Sequence, residues 1–401
     1  MFKSIPKKFF SKSIVIVNGK RTPIGSFMGN LSNFHAADLG SAAIQGALLS
    51  SNVPKDEIDE VIMGNVISSG LGQAPARQAA VRAGLPPSTV CTTINKVCSS
   101  GMKAVHFAAQ SIQTGNSRIV IAGGMESMSL VPHYLYIRKP ITWGEPQMVD
   151  GIMFDGLTDS FSKKIMGSCS EKTVKELNIT RKEQDDYTIS CYEKAIAAGK
   201  EGHFAKEIVP LITKDKKGNT NTIESDEEYT RFLREKIPTL KPVFEKDGTI
   251  TAANASKNAD GGCAMVLMSE DLAREKGLKP IARIINFADS ERDPIDFSIA
   301  PALAMGKLLD RCNLQIKDID AFEINEAFAC VALANIKLLG LNIEKVNING
   351  GAVALGHPIG MSGARIILSL VNALQIRNGK YGVAAICNGG GGASSICIER
   401  I

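Results

Sequence analysis

No apolar stretch in the chain approaches the ~20 residues that a membrane-crossing helix requires, so a helical span is not expected. Cysteine is present at nine positions, yet the count is odd and no two cysteines stand in C-x-x-C spacing; neither a disulfide framework nor a zinc centre is expected. Most of the nine should be small buried apolar residues of a protein in a reducing compartment. Basic runs with interleaved aromatics are missing, and the net charge is only +5, so nucleic acid is not an expected partner. At most, the slight positive balance suits a polyanionic small molecule. Histidine is scarce: five residues, at 35, 106, 133, 203 and 357. No acidic residue occurs before Asp38, while Lys3, Lys7, Lys8 and Lys12 alternate with serine and phenylalanine, the texture of a mitochondrial targeting segment over residues 1–12. A solvated tail, and with it a cytoplasmic location, is the bland alternative.

What is present is a large core's worth of apolar residues, 44% of 401, enough for two or three domains. Short apolar runs at 14–17, 60–63, 118–121, 321–324 and 383–386 have the length of buried strands. Residues 99–114 and 362–377 carry apolar side chains at helical spacing. Strands alternating with helices predict an α/β protein with mainly parallel sheets.

Three phrases recur in the same order at a near-constant offset of about 260 residues. Residues 55–65 resemble 317–325. Ser99-Ser-Gly-Met-Lys-Ala104 resembles Met361-Ser-Gly-Ala-Arg-Ile366, each opening a helix. Residues 118–124 resemble 383–390, each a strand running into glycines. Two copies of one α/β unit are therefore expected, over 13–279 and 280–401, with a site where they meet. Residues 129–250 are richer in charge, include an amphipathic helix at 181–198, and read as an insertion in the first half that covers the site.

Four segments carry chemistry. In Asn95-Lys-Val-Cys-Ser-Ser-Gly-Met-Lys-Ala104, Cys98 sits where a strand gives way to a helix, and free N–H groups there favour a thiolate; a buried turn cysteine is the alternative. Gly350-Gly-Ala-Val-Ala-Leu-Gly-His-Pro-Ile-Gly-Met-Ser-Gly363 places His357 in a loop whose backbone can approach a ligand, within reach of Cys98 if the loops converge. Cys387 ends a strand before four glycines, where a second thiol can act as acid or base and N–H groups can hold an oxyanion; a flexible turn is the alternative. Asn325, in Asn325-Glu-Ala-Phe328, either orients a water or caps a helix.

Together these segments, with Ala122-Gly-Gly-Met-Glu-Ser-Met128, Asp155-Gly-Leu-Thr-Asp159 and Thr251-Ala-Ala-Asn-Ala-Ser256, resemble the thiolase family from about Ile14 to the C-terminus, closest to its mitochondrial, acetoacetyl-CoA-handling branch. The resemblance implies a thiolase fold: two duplicated α/β halves with mixed sheets and layered helices (αβαβα), plus an inserted loop domain. It implies a reversible condensation of two acetyl-CoA to acetoacetyl-CoA and coenzyme A, with no redox cofactor and a homotetrameric assembly. By that resemblance His357 activates Cys98, Cys98 carries the acetyl group, and Cys387 removes the α-proton of the second acetyl-CoA. One oxyanion is held by His357 and a water on Asn325, the other by the N–H groups of Cys98 and Gly389. Tyr192, Arg231, Phe232, Leu233, Lys236 and Ser256 match coenzyme A contacts. Tyr192 and carbonyls of Ala252, Ala253, Ala255 and Val353 match ligands of a potassium ion. Ile165, Met166, Phe297, Ser298 and Phe328 match the acyl pocket.

Two departures stand in that pocket: Ile165 where the family usually has histidine, and Ser298 after Phe297 where the branch usually has proline. An apolar residue at 165 predicts tolerance of branched or longer acyl chains. The competing readings are a broad-chain degradative 3-ketoacyl-CoA thiolase and, in another class, a non-catalytic acyl-CoA or lipid carrier on the same fold. A ketoacyl-synthase-type condensing enzyme pairs its cysteine with two histidines, which this chain does not offer at its motifs.

Overall fold

A computed structural model describes residues 12–138, 141–214 and 218–401. The targeting segment expected at 1–12 lies, except for Lys12, outside the described residues. Nine strands follow one another across a single sheet: β1 (Ile14–Arg21), β2 (Glu60–Gly64), β3 (Val90–Ile94), β4 (Ile119–Ser127), β5 (Ala259–Ser269), β6 (Ala282–Glu291), β7 (Ala321–Ile324), β8 (Tyr381–Asn388) and β9 (Gly392–Arg400). Their spatial order is β7-β8-β9-β6-β1-β5-β4-β2-β3, with the two-residue strand Gly25–Ser26 added on β5. The helices that bear on the site are α1 (Ala36–Ser51), α2 (Ser100–Thr114), α3 (Met166–Leu177), α4 (Arg181–Lys200), α5 (Ala300–Cys312), α6 (Ala329–Leu339) and α7 (Ser362–Ile376).

The internal repeat is visible in the pairing. The run β2-β4-β5-β1 is parallel, antiparallel, antiparallel, and β7-β8-β9-β6 repeats that sequence of directions. Even the irregularities match. The register slips between Ile16 and Asn18 in β1 and between Ile284 and Asn286 in β6. In both bulges the asparagine Oδ1 accepts the next residue's N–H, from Gly19 at 2.8 Å and from Phe287 at 2.9 Å. The two runs join where Ile14–Ile16 pair with Ala282–Ile284, so the expected two sheets are continuous through β1 and β6.

The expectation of mainly parallel sheets is corrected. Strand–helix alternation holds only for the outer strands. β8 and β9 are joined by a short glycine turn with no crossover helix, so they must run antiparallel.

Alternation along the strands divides the core into layers. Val15, Val17, Ile119 and Ile121 pack with α1 on one face of the first run. Val383 and Ala385 pack with Met305 and Leu308 of α5 on the far face of the second. Ile14, Ile16, Val120, Ala122, Ala384 and Ile386 share a third cluster with α2 and α7. The central layer is thus a helix pair shared by both halves. Residues 362–374 of α7 are all buried, which is why its apolar residues run around the whole helix. Between β4 and β5 the chain leaves the sheet, forming two small hairpins, α3 and α4. Among the described residues no helix is long and apolar enough to cross a membrane.

Candidate active site

Cys98 lies in the tight turn between β3 and α2. The residue before it, Val97, has φ of 47°, a left-handed conformation costly for a β-branched side chain. Hydrogen bonds impose it: Asn95 Oδ1 accepts the Val97 N–H at 2.9 Å, and the Val97 carbonyl accepts from Ser100 Oγ at 2.6 Å and Ser100 N–H at 3.0 Å. The turn is also tied to the end of β8. Ser99 Oγ and Lys96 Nζ each donate to Asn388 Oδ1, at 2.9 Å, and Ser99 Oγ reaches the Ile386 carbonyl at 3.3 Å.

Burial pushes the Cys98 thiol up to about 11, although the N–H groups of Gly389 and of Cys98 itself pull the other way and the charge of Glu126 raises it further. Burial therefore works against the thiolate that the helix-terminus N–H groups favour.

His357 is buried, its N–H donating to the Lys257 carbonyl at 2.9 Å. Its Nδ1 stands 2.6 Å from Ser362 Oγ, and that hydroxyl donates to the Pro358 carbonyl at 3.0 Å. The hydroxyl proton is thus committed, so Nδ1 carries the ring proton and Nε2 holds the free lone pair. Asn325 Nδ2 faces Nε2 at 3.4 Å. Burial, with the nearby Arg365 charge, lowers His357 to about 3, so the ring is a neutral base.

Asn325 caps no helix: α6 begins after Phe328, and the Asn325 side chain points to His357 and to Arg365 Nη2, 3.5 Å away. Cys387 is fully buried on β8, raised well above the ordinary thiol value by burial and then by Cys98, which places the two sulfurs in each other's field. The turn beyond it is fixed rather than loose: Gly391 has φ of 90°, and a Cβ there would meet the Arg292 carbonyl at 2.3 Å.

A cavity of about 490 Å³ opens onto this cluster. Cys98, His357 and Gly389 line it, together with the apolar side chains of Ile165, Met166, Phe297 and Phe328. Ser298 is corrected. It lies off the cavity, its Oγ 2.9 Å from Ser170 Oγ and its carbonyl accepting from Asn335 Nδ2 at 2.9 Å. A proline there would touch the cavity only through its neighbours, so Ile165 is the departure that lines the cavity.

Of the expected coenzyme A contacts, Arg231 and Ser256 line the cavity. Tyr192 and Phe232 stack on each other at 4.9 Å just outside the lining. Leu233 and Lys236 are exposed and off the cavity wall. The expected potassium ligands do not gather as a vacant oxygen cage. Lys257 Nζ donates to the Ala255 carbonyl at 2.7 Å and the Ala253 carbonyl at 3.2 Å. Ala252 lines the same cavity as Ala255 and Lys257, and Val353 is buried with its N–H on Glu326 at 3.0 Å. A second cation beside that ammonium would be repelled, so the donor set does not fit the ion.

Sequence reasoning missed three residues. Lys257 is one. Glu126, fully buried, accepts from Gly360 N–H in the His357 loop and Val66 N–H, both at 3.0 Å, and from Asn65 Nδ2 at 2.9 Å. Glu326, also buried, accepts from Asn347 Nδ2 at 2.6 Å and Tyr187 Oη at 2.7 Å. Both glutamates stood inside quoted phrases, and a charge placed within a glycine-rich or apolar phrase was the available signal.

A cysteine thiol, a neutral imidazole and convergent N–H groups lining an apolar cavity, set between two like α/β halves, define an acyl-transfer site. Residues 14–271 match the family model described as thiolase, N-terminal domain, and residues 278–400 that described as thiolase, C-terminal domain. The chain belongs to the thiolase family. It is 52% identical over 389 residues to the mitochondrial acetyl-CoA acetyltransferase of Bos taurus, covering 97% of this chain and 92% of the relative. To acetyl-CoA acetyltransferase 2 of Arabidopsis thaliana it is 50% identical over 393 residues, covering 97% and 98%. Its fold resembles the crystal structure of Acat5 thiolase from Ascaris suum in complex with coenzyme A, with a TM-score of 0.92 and 48% identity, covering 97% of this chain and all of that one.

Proposed function

We propose that this acyltransferase is an acetyl-CoA C-acetyltransferase, condensing two acetyl-CoA to acetoacetyl-CoA and coenzyme A and catalysing the reverse thiolysis. The observation that carries the reading is the convergence of Cys98, neutral His357 and the Gly389 N–H on one cavity, with Cys387 close enough to feel Cys98. His357 Nε2 takes the Cys98 proton as sulfur attacks the acetyl carbonyl. The N–H groups of Cys98 and Gly389 hold the oxygen while charge develops, and coenzyme A leaves with the proton of Cys387, which becomes a thiolate while His357 keeps the proton of Cys98. The Cys387 thiolate then removes the α-proton of a second acetyl-CoA, and the resulting carbanion displaces Cys98 from the thioester, Cys98 recovering its proton from His357. His357 Nε2, carrying the Cys98 proton, and a water held by Asn325 stabilise the enolate oxygen in that step. Arg231 and Ser256 contact coenzyme A from the cavity wall, and Tyr192, Phe232, Leu233 and Lys236 bind it at the mouth.

A mitochondrial location accords with the names of the animal relatives and with the basic N-terminal composition. A homotetramer accords with the exposed apolar residues Tyr136, Trp143, Phe154 and Phe161 in the segment between β4 and β5. The non-catalytic reading is disfavoured by the complete set of reacting groups, and the condensing-enzyme reading by the cavity: among the described residues His357 is the histidine that lines it.

The test is a thiolysis panel with acetoacetyl-CoA, longer straight-chain and 2-methylacetoacetyl-CoA substrates. Acetoacetyl-CoA and the 2-methyl substrate should both turn over, since Ile165 leaves the wall apolar. Cleavage of acetoacetyl-CoA alone would overturn the pocket reading. Cys98→Ser should abolish turnover while keeping coenzyme A binding, and undiminished turnover would sink the mechanism.

A further inference from the structure

We propose that the ammonium of Lys257 is a tethered monovalent cation built into the chain, holding two of the four carbonyls that the family resemblance assigns to potassium, so that the enzyme works without potassium. This deepens the acetyltransferase reading and rests on it for the activity arm of the test.

The geometry is specific. Carbonyl oxygens that face one another repel unless a cation or a donor lies between them, and either a bare ion or an ammonium serves. Here two of the ammonium's three N–H donors go to Ala255 at 2.7 Å and Ala253 at 3.2 Å. Nζ lies 5.9 Å from the centre of the Tyr192 ring, the side chain also assigned to the ion. Burial draws the Lys257 ammonium down to about 8, and the Glu228 carboxylate pulls it back up. Glu228 accepts from Tyr192 Oη at 3.3 Å and from Ser26 Oγ at 2.8 Å, and it lines the same cavity as Lys257. Three of the five groups expected around the ion thus surround a lysine nitrogen.

The residue also reaches the reacting groups through its backbone. The Lys257 carbonyl takes the His357 N–H at 2.9 Å. The loop that the ammonium pins continues into Ser256, whose N–H and Oγ donate to the Ala327 carbonyl at 3.0 and 2.8 Å, and Ala255 bridges Phe328 of the acyl wall. Lys257 is therefore a positioning residue: it fixes the coenzyme A wall and the backbone of His357 without touching the reacting atoms.

The experiment compares the full chain with Lys257→Ala, which frees the carbonyls and opens space for an ion, and Lys257→Met, which removes the charge but keeps the volume. Thiolysis of acetoacetyl-CoA and the thermal midpoint are followed as potassium chloride replaces N-methylglucamine chloride at constant ionic strength. The native chain should be indifferent to potassium in both measurements. Lys257→Ala should show a KM for coenzyme A about tenfold higher without potassium, with a smaller change in kcat, because two charge-assisted hydrogen bonds are lost from the wall rather than from the reacting groups. Potassium should restore the KM and raise the midpoint of Lys257→Ala, but not of Lys257→Met. Severalfold potassium stimulation of the native chain, or a Lys257→Ala chain that matches the native one and ignores potassium, overturns the proposal. The melting arm needs no turnover, so absence of thiolysis would count against the acetyltransferase reading while the cation question is still decided.

Discussion

Cys98 and His357 line one cavity, and burial favours the neutral form of each. The thiol is held up to about 11, chiefly by burial, and the imidazole down to about 3, again by burial. A group with a raised thiol value stays protonated as pH climbs, and a histidine with a lowered value stays unprotonated as pH falls, so burial disfavours a thiolate–imidazolium pair in the free enzyme. Alkylation of Cys98 by iodoacetamide should then rise about tenfold per pH unit between pH 6 and 10, following the small thiolate fraction. Cys98→Ser supplies the background from the other eight cysteines. A rate that is already flat at neutral pH would mean that the pair is preformed. The residue pattern singled out both groups, but it placed Cys98 beside free helix N–H groups and could not weigh their pull against burial in a cavity that only the folded chain encloses.

At the scale of elements, α2 and α7 open at the phrases that repeat, and their glycines explain why. A Cβ on Gly363 would stand 2.5 Å from the Met102 nitrogen, and one on Gly101 would stand 2.7 Å from the Ala364 nitrogen. Both are backbone atoms, so neither contact can relax by a side-chain rotation. The two helices cross at these points, which brings the Cys98 turn and the His357 loop together at one end of the central layer. Alanine is normally about 1 kcal/mol better than glycine within a helix. Gly363→Ala should nevertheless destabilise the protein by about 2 kcal/mol through overpacking, read from urea unfolding, and should lower turnover by separating the two loops. Unchanged or improved stability would show that the crossing has room. The glycine repeat was legible in the sequence; that the two copies touch each other there was not.

Across the whole molecule, the segment between β4 and β5 walls the cavity over a site contributed by both halves, and Glu326 is the fastening. Its buried carboxylate joins Tyr187 and Cys191 of α4 to Asn347 and the Val353 N–H of the second half. Glu326→Ala leaves those donors buried without an acceptor and should cost about 3 kcal/mol or more. Glu326→Gln keeps part of the network and should cost less. Thermal unfolding reads both, and an alanine variant as stable as the native chain would remove Glu326 from this role.

The order of strands and helices, the duplication and the candidate site residues Cys98, His357 and Cys387 were legible in the sequence itself, because periodicity, glycine turns and recurring phrases are local properties of a chain. The tertiary structure alone decided the antiparallel centre of the sheet, the continuity through β1 and β6, the desolvation of Cys98 and His357 and the place of Lys257 among the carbonyls of Ala253 and Ala255. Each of these depends on which distant groups exclude water from one another, and burial and the fields it strengthens exist only once the chain has closed on itself.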